Sequence, residues 1–161
     1  FNQSRQNMAV YGADGRLLHI ANGTARQVRA KGVDAKTLVG STIVFNQPGC
    51  YGFSATDVAA AHAYQVAQLR MVGVTSDGHA WRYVIKPNAA FFKLDAKTLE
   101  TLAEQAQRKV TAEMVIEVVE GSLLREHANN EYWHRFWRDV DARLKKNGRA
   151  RLGYKREGLY D

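Results

Sequence analysis

Short apolar runs separated by turn residues occupy the first half of the chain, and apolar positions spaced three or four apart occupy the second. "MAVY" and "RLLHIA" flank an Asp14-Gly15 pair, which predicts a hairpin with strands near residues 8 to 11 and 16 to 21. "TARQVRAKGVDAKTLVG" mixes polar and scattered apolar residues, so a short helix or loop ending near Gly40 is expected. "STIVFN" is a brief β-branched run of the kind found in a buried strand. Ser54 and Asp57 form a Ser-x-x-Asp capping pattern ahead of the Ala-rich "VAAAHAYQVAQL", which predicts a helix to about Leu69. "RMVGVTS" and "HAWRYVIK" around Asp77-Gly78 predict a second hairpin.

Beyond Pro87 the period changes from two to 3.6. Leu99, Leu102, Ala106, Val110, Met114 and Val118 share one helical face, with Gly121 as the stop. Trp133, Phe136, Trp137, Val140 and Leu144 define a second helix, capped by Asn129 or Asn130 and ended at Gly148. That aromatic stripe reads as core packing against the sheet or the long helix.

At 161 residues and 45% hydrophobic content, the chain suffices for one well-buried domain. The expected division is a tag or linker at 1–7, an α/β core at 8–90, and a helical extension with a basic tail at 91–161, packed on the core. No apolar run is long enough to span a membrane and no leader pattern opens the sequence, so a soluble protein without a membrane partner is expected. Cys50 is the only cysteine, which excludes an intramolecular disulfide and a Cys-based zinc site. The formal net charge of +7 is unevenly placed: no glutamate precedes Glu100, and Arg143 to Arg156 hold seven basic residues and no acidic one. Arg143, Lys145, Lys146, Arg149 and Arg151 are thus candidates for contacting phosphates of a nucleic acid, RNA included, and a solvated basic tail is the plainer reading.

The stretch "FNQPGCYGFSATDV", Phe45 to Val58, carries the most chemistry. Together with "VYGADGRLLHIANGTARQV" and the hairpin that closes near Pro87, it resembles the JAMM/MPN metallohydrolase family, above all the divergent members found as domains in phage head-morphogenesis proteins and polymorphic toxins. The resemblance covers residues 9 to 87, about half the chain. It implies an α+β fold, a JAMM-like αβα sandwich with a mixed sheet, here followed by two C-terminal helices. In that family a strand ends in His-x-His-Pro, the two histidines and the Asp of a following Ser-x-x-Asp hold zinc, and a Glu from an earlier strand is the general base. This sequence keeps Pro48, Ser54 and Asp57 but has Phe45 and Gln47 at the histidine positions and no upstream Glu.

A phenyl ring and a neutral amide do not replace two imidazoles, so no metal and no cofactor is expected and zinc isopeptidase chemistry is not. The residues left are a polar cleft of Asn46, Gln47, Tyr51, Ser54 and Asp57. The expectation is therefore a non-metallo accessory or effector domain, a pseudoenzyme of a phage, prophage or toxin system. Its cleft would recognise a protein or nucleic acid, a cognate immunity or phage protein among them. Two rivals stand beside it. One is a metal-free enzymatic toxin, RNase-like or a transferase, built on His62, Tyr51 and Cys50; the other is a nucleic-acid module using the basic end. His62 also reads as an ordinary core or surface histidine, Cys50 as a small buried thiol and Asp57 as a helix-end carboxylate. A cytoplasmic location, or delivery into a target cell as part of a longer chain, fits this reading.

Overall fold

A computed structural model describes residues 5–23, 33–49, 51–75 and 78–159. The fold is α+β. Its strands are β1 (Asn7–Tyr11), β2 (Leu17–Asn22), β3 (Thr42–Pro48), β4 (Gln68–Val74), β5 (Ala80–Ile85) and β6 (Lys155–Gly158). The helices are α1 (Ala35–Leu38), α2 (Ala55–Ala63), α3 (Ala96–Val119) and α4 (Arg125–Asn147), with a 3-10 turn at Phe91–Lys93. The strands form one six-stranded sheet in the order β2-β1-β3-β4-β5-β6. Only β3 and β4 run parallel, because α2 carries the chain back between them; the other pairs are antiparallel.

Strand alternation decides where the core lies. Met8, Val10, Phe45, Leu69, Met71, Tyr83 and Ile85 occupy matching register positions and are buried together with helix residues such as Val58, Leu102, Phe136 and Trp137. The aromatic stripe of α4 is core, as its spacing predicts. Trp137 is buried and its indole Nε1 donates to the Phe53 carbonyl at 2.8 Å, so a helix from the second half holds the loop of the first. Against alanine, such a side chain contributes about 3–5 kcal/mol. Loop and helix touch closely: Gly52 has φ +79, and a Cβ there would lie 3.2 Å from that of Trp133.

Both long helices lie where the apolar spacing puts them, and Gly121 ends α3 at φ +76. Three boundaries differ from expectation. α2 stops at Ala63 rather than near Leu69, because Gln65 adopts φ 52 and Gln68 already pairs with Thr42; parallel strand pairing overrides the helix propensity of the Ala-rich run. α4 starts at Arg125, a turn before Asn129 and Asn130. Asn130 caps nothing and instead accepts a 2.6 Å bond from the Tyr83 hydroxyl. Finally, β1 begins at Asn7 and Gln6 is only 6% exposed, so residues 6 and 7 belong to the fold although they lie in the stretch expected to be a tag or linker.

The C-terminal part supplies a strand as well as helices. After α4 the chain turns at Gly148 and is held by Asn88: its Nδ2 donates to the Arg149 carbonyl at 2.8 Å and its Oδ1 accepts from Arg151 N at 3.0 Å. Asp141, 6% exposed, accepts from the backbone of Leu152 at 2.9 Å and of Gly153 at 3.3 Å. Gly153 has φ +65, and a Cβ there would overlap the Lys86 carbonyl oxygen. This crossing delivers β6 to the edge of β5.

Candidate functional site

β3, the loop after it and α2 build the site. Residues two apart on a strand share a face, so Phe45 and Gln47 both face α2. Asp57 and Ser54 stand at the N-terminus of that helix in a reciprocal capping box. Ser54 N donates to Asp57 Oδ2 at 2.7 Å, Ser54 Oγ donates to the same oxygen at 2.8 Å, and Asp57 N donates to Ser54 Oγ at 3.2 Å. The expected cap is formed in full. It also engages one oxygen, Oδ2, of the carboxylate that the resemblance would assign to a metal.

A cavity of about 740 Å³ opens here between β1, β3, α1 and α2. Met8, Leu38, Ile43, Phe45, Leu69 and Trp133 provide apolar wall. Gln6, Gln47, Tyr51, Ser54 and Asp57 provide the polar wall, and Asp57 is the only Asp, Glu, Lys or Arg among the lining residues described. On the sheet side of the cavity the neighbouring carboxamides of Gln6 and Gln47 are hydrogen-bonded to each other, Gln6 Nε2 donating to Gln47 Oε1. α2 contributes Thr56, Asp57, Ala60 and Ala61, a single helical face continued by Tyr64 at its C-cap.

Four of the five expected cleft residues, Gln47, Tyr51, Ser54 and Asp57, line this cavity. Asn46 does not, and this corrects its assignment: one position out of phase with Gln47, it points to the opposite side, where its Nδ2 donates to the Arg5 carbonyl at 2.9 Å and its Oδ1 accepts from Asn7 N. His62 is corrected in the same way. Lying about 140° round the helix from Asp57, it packs edge-on against Phe91 at 5.3 Å and beside Phe92, away from Tyr51, so these two do not converge. Cys50 lies outside the described residues. Gln6, Leu38 and Trp133 were not legible as wall residues, since only the pairing of distant segments brings them here.

The residues do not fit zinc. Phe45 is 8% exposed with its ring edge-on to Phe53 at 5.7 Å, Gln47 is engaged by Gln6, and Asp57 is engaged by Ser54. Among the described residues no three of His, Cys, Asp and Glu gather in a group able to hold a metal ion.

The basic end does not form one free cationic face. Arg143 pairs with Asp139 and donates to Gln105 at 2.9 Å, and Lys145 pairs with Asp141 at 2.8 Å. Arg151 donates to the carbonyls of Gly148 and Ala150, both at 2.7 Å. Arg156 sits 4.6 Å over the Trp81 ring and pairs with Glu131 at 2.6 Å. Lys146 and Arg149 are exposed at the turn out of α4. Beside Arg156, burial and then the Arg156 charge push His134 down to about 4, and its Nδ1 lies 3.0 Å from the Tyr154 hydroxyl. Burial opposes the charge of Glu131, but the bond from Arg156 holds its pKa below the ordinary carboxylate value.

No helix among the described residues is long and apolar enough to cross a membrane. No protein-family model, curated protein or solved structure matches the chain.

Proposed function

We propose that the chain is a JAMM-like domain without metal chemistry, an accessory or effector domain of a phage, prophage or toxin system that recognises a segment of a partner protein through the cleft beside residues 45–57. The observation that carries this reading is the cavity itself. About 740 Å³ falls within the range of ligand-binding clefts, and apolar wall combined with a few convergent polar groups is their usual chemistry. The wall favours a polypeptide over a nucleic acid: it offers no Lys or Arg to a phosphate, and Asp57 repels one. Phe45, Leu38 and Trp133 suit an apolar side chain, and Gln47 and Tyr51 suit main-chain amides.

A displayed library of random peptides, selected against the intact chain, tests the reading. Recovered peptides are expected to lose binding to Ala60→Trp, which fills the cavity from an exposed helix position, and to bind Gln47→Ala or Tyr51→Phe about tenfold more weakly. The melting temperatures of Ala60→Trp and Tyr51→Phe should stay near that of the parent, while Gln47→Ala, which takes the partner from the buried Gln6 amide, should melt somewhat lower and is compared at a temperature where it is folded. Peptides that bind all three variants as well as the parent, or a selection that yields no binder, would overturn it.

A further inference from the structure

Charge in the wall of the cavity is confined to one carboxyl group. Asp57 is half-buried, and no Lys, Arg, His or Glu joins it among the lining residues described. Both bonds that Ser54 donates to this carboxylate end on Oδ2, and no donor among the described residues is bonded to Oδ1. Four aromatic rings share the wall with it, those of Phe45, Tyr51, Tyr64 and Trp133. Tyr51 and Tyr64 are 45% and 44% exposed, which sets them at the mouth. An apolar occupant would strip water from Oδ1 and return no hydrogen bond, and an anionic one would be repelled. A cation on a methylene stem answers both parts of the wall, because aromatic faces and a carboxylate attract its head while apolar side chains cover its stem.

We infer that the side chain entering the cavity is a lysine or arginine of the partner segment, its stem against Met8, Leu38 and Ile43 and its cationic head on Asp57 Oδ1. This rests on the cleft being the peptide site proposed above, and it names the chemistry that the cleft selects. The formal charge of +7 does not oppose it, since none of the positive side chains lines the cavity. Charges farther off are screened over about 8 Å at physiological salt, whereas a pair in direct contact inside a cleft is screened much less. The capping box adds orientation: by fixing Oδ2, Ser54 holds the carboxylate in one pose and leaves Oδ1 as the acceptor for an incoming N–H.

Nuclear magnetic resonance titration of the isotope-labelled full chain with butylammonium, butylguanidinium and butanol, at constant ionic strength, tests the cation. The two cations should shift the amide signals of the cavity residues with a Kd about tenfold below that of butanol. The difference should vanish in Asp57→Asn, which keeps an oxygen for Ser54, and no probe should bind Ala60→Trp. Equal affinity of the parent for cation and alcohol, or a preference that persists in Asp57→Asn, overturns the inference. A second measurement needs no Asp57 variant. Library peptides that Ala60→Trp rejects should share a Lys or Arg, and norleucine in its place should weaken binding about tenfold. Peptides that depend on the cavity but carry no basic residue, or lose nothing by that exchange, overturn the cationic side chain and leave the cleft a peptide site; a library without binders overturns the cleft and this inference with it.

Discussion

Phe45 and Gln47 stand on the same face of β3 as the cavity, with Ser54 and Asp57 opposite them at the start of α2. Their chemistry, not their placement, is what departs from a zinc site: a ring buried against Phe53 and an amide satisfied by Gln6 offer no lone pair of imidazole type. Placement without donors makes a direct prediction. The double variant Phe45→His/Gln47→His should take up one zinc ion per chain after dialysis against trace metal, and the parent none, as read by elemental analysis. Asp57→Asn in that background should remove the uptake, since a neutral amide cannot serve as the third ligand. A double variant that folds but binds no zinc would mean that the capping box does not release Asp57 and that these positions are not a metal site in disguise.

At the scale of elements, α4 and the segment after it hold the site in place from a distance. Trp137 pins the Phe53 carbonyl, Trp133 packs against Gly52, and Asp141 anchors the crossing to β6 through Leu152 and Gly153. The basic run is woven into this frame, so its members are not equivalent. Lys145→Glu places a carboxylate beside buried Asp141 and should destabilise the fold by about 1–2 kcal/mol. Lys146→Glu, one residue on and in solvent, should stay within about 0.5 kcal/mol of the parent. Urea denaturation of the two variants separates a structural role of the run from a solvated one; equal midpoints would show that Lys145 contributes nothing through Asp141.

For the molecule as a whole, two groups of ionisable side chains shape the response to acid. Glu117, Asp139 and Glu157 are held below the ordinary carboxylate range, the first and last by their arginine partners Arg135 and Arg82. For Asp139, bonds from Lys109 and Arg143 outweigh the opposing effect of burial. The stability they give is present above the unfolded carboxylate values and lost as pH falls through the lower folded ones. His134 acts earlier. With its folded pKa near 4 and the unfolded value 6.5, the unfolded chain binds the extra proton between these limits, so stability falls as pH drops from about 6.5 toward 4. His134→Asn keeps an amide for the Tyr154 hydroxyl and removes the titration. Its urea midpoint should fall less between pH 7 and pH 5 than that of the parent; an equal fall would assign the acid sensitivity elsewhere.

The sequence by itself determined the elements whose signal is local. The Asp14-Gly15 hairpin, the Ser54-Asp57 cap and the two apolar helix faces with their glycine stop arise from contacts between near neighbours, and each lies where its residues put it. Most of the cleft was legible for the same reason: Gln47, Tyr51, Ser54 and Asp57 lie within eleven positions of one another on a strand, a tight loop and a helix start. What only the tertiary structure decided depends on partners far away in the chain. "KREG" carries no apolar alternation and becomes a strand because β5 offers it an edge. Gln6 and Trp133 complete a cavity with residues about forty and eighty positions away. His62 was set against Phe91, and Asn46 behind the sheet, by helix phase and strand parity acting on a core that no single segment contains.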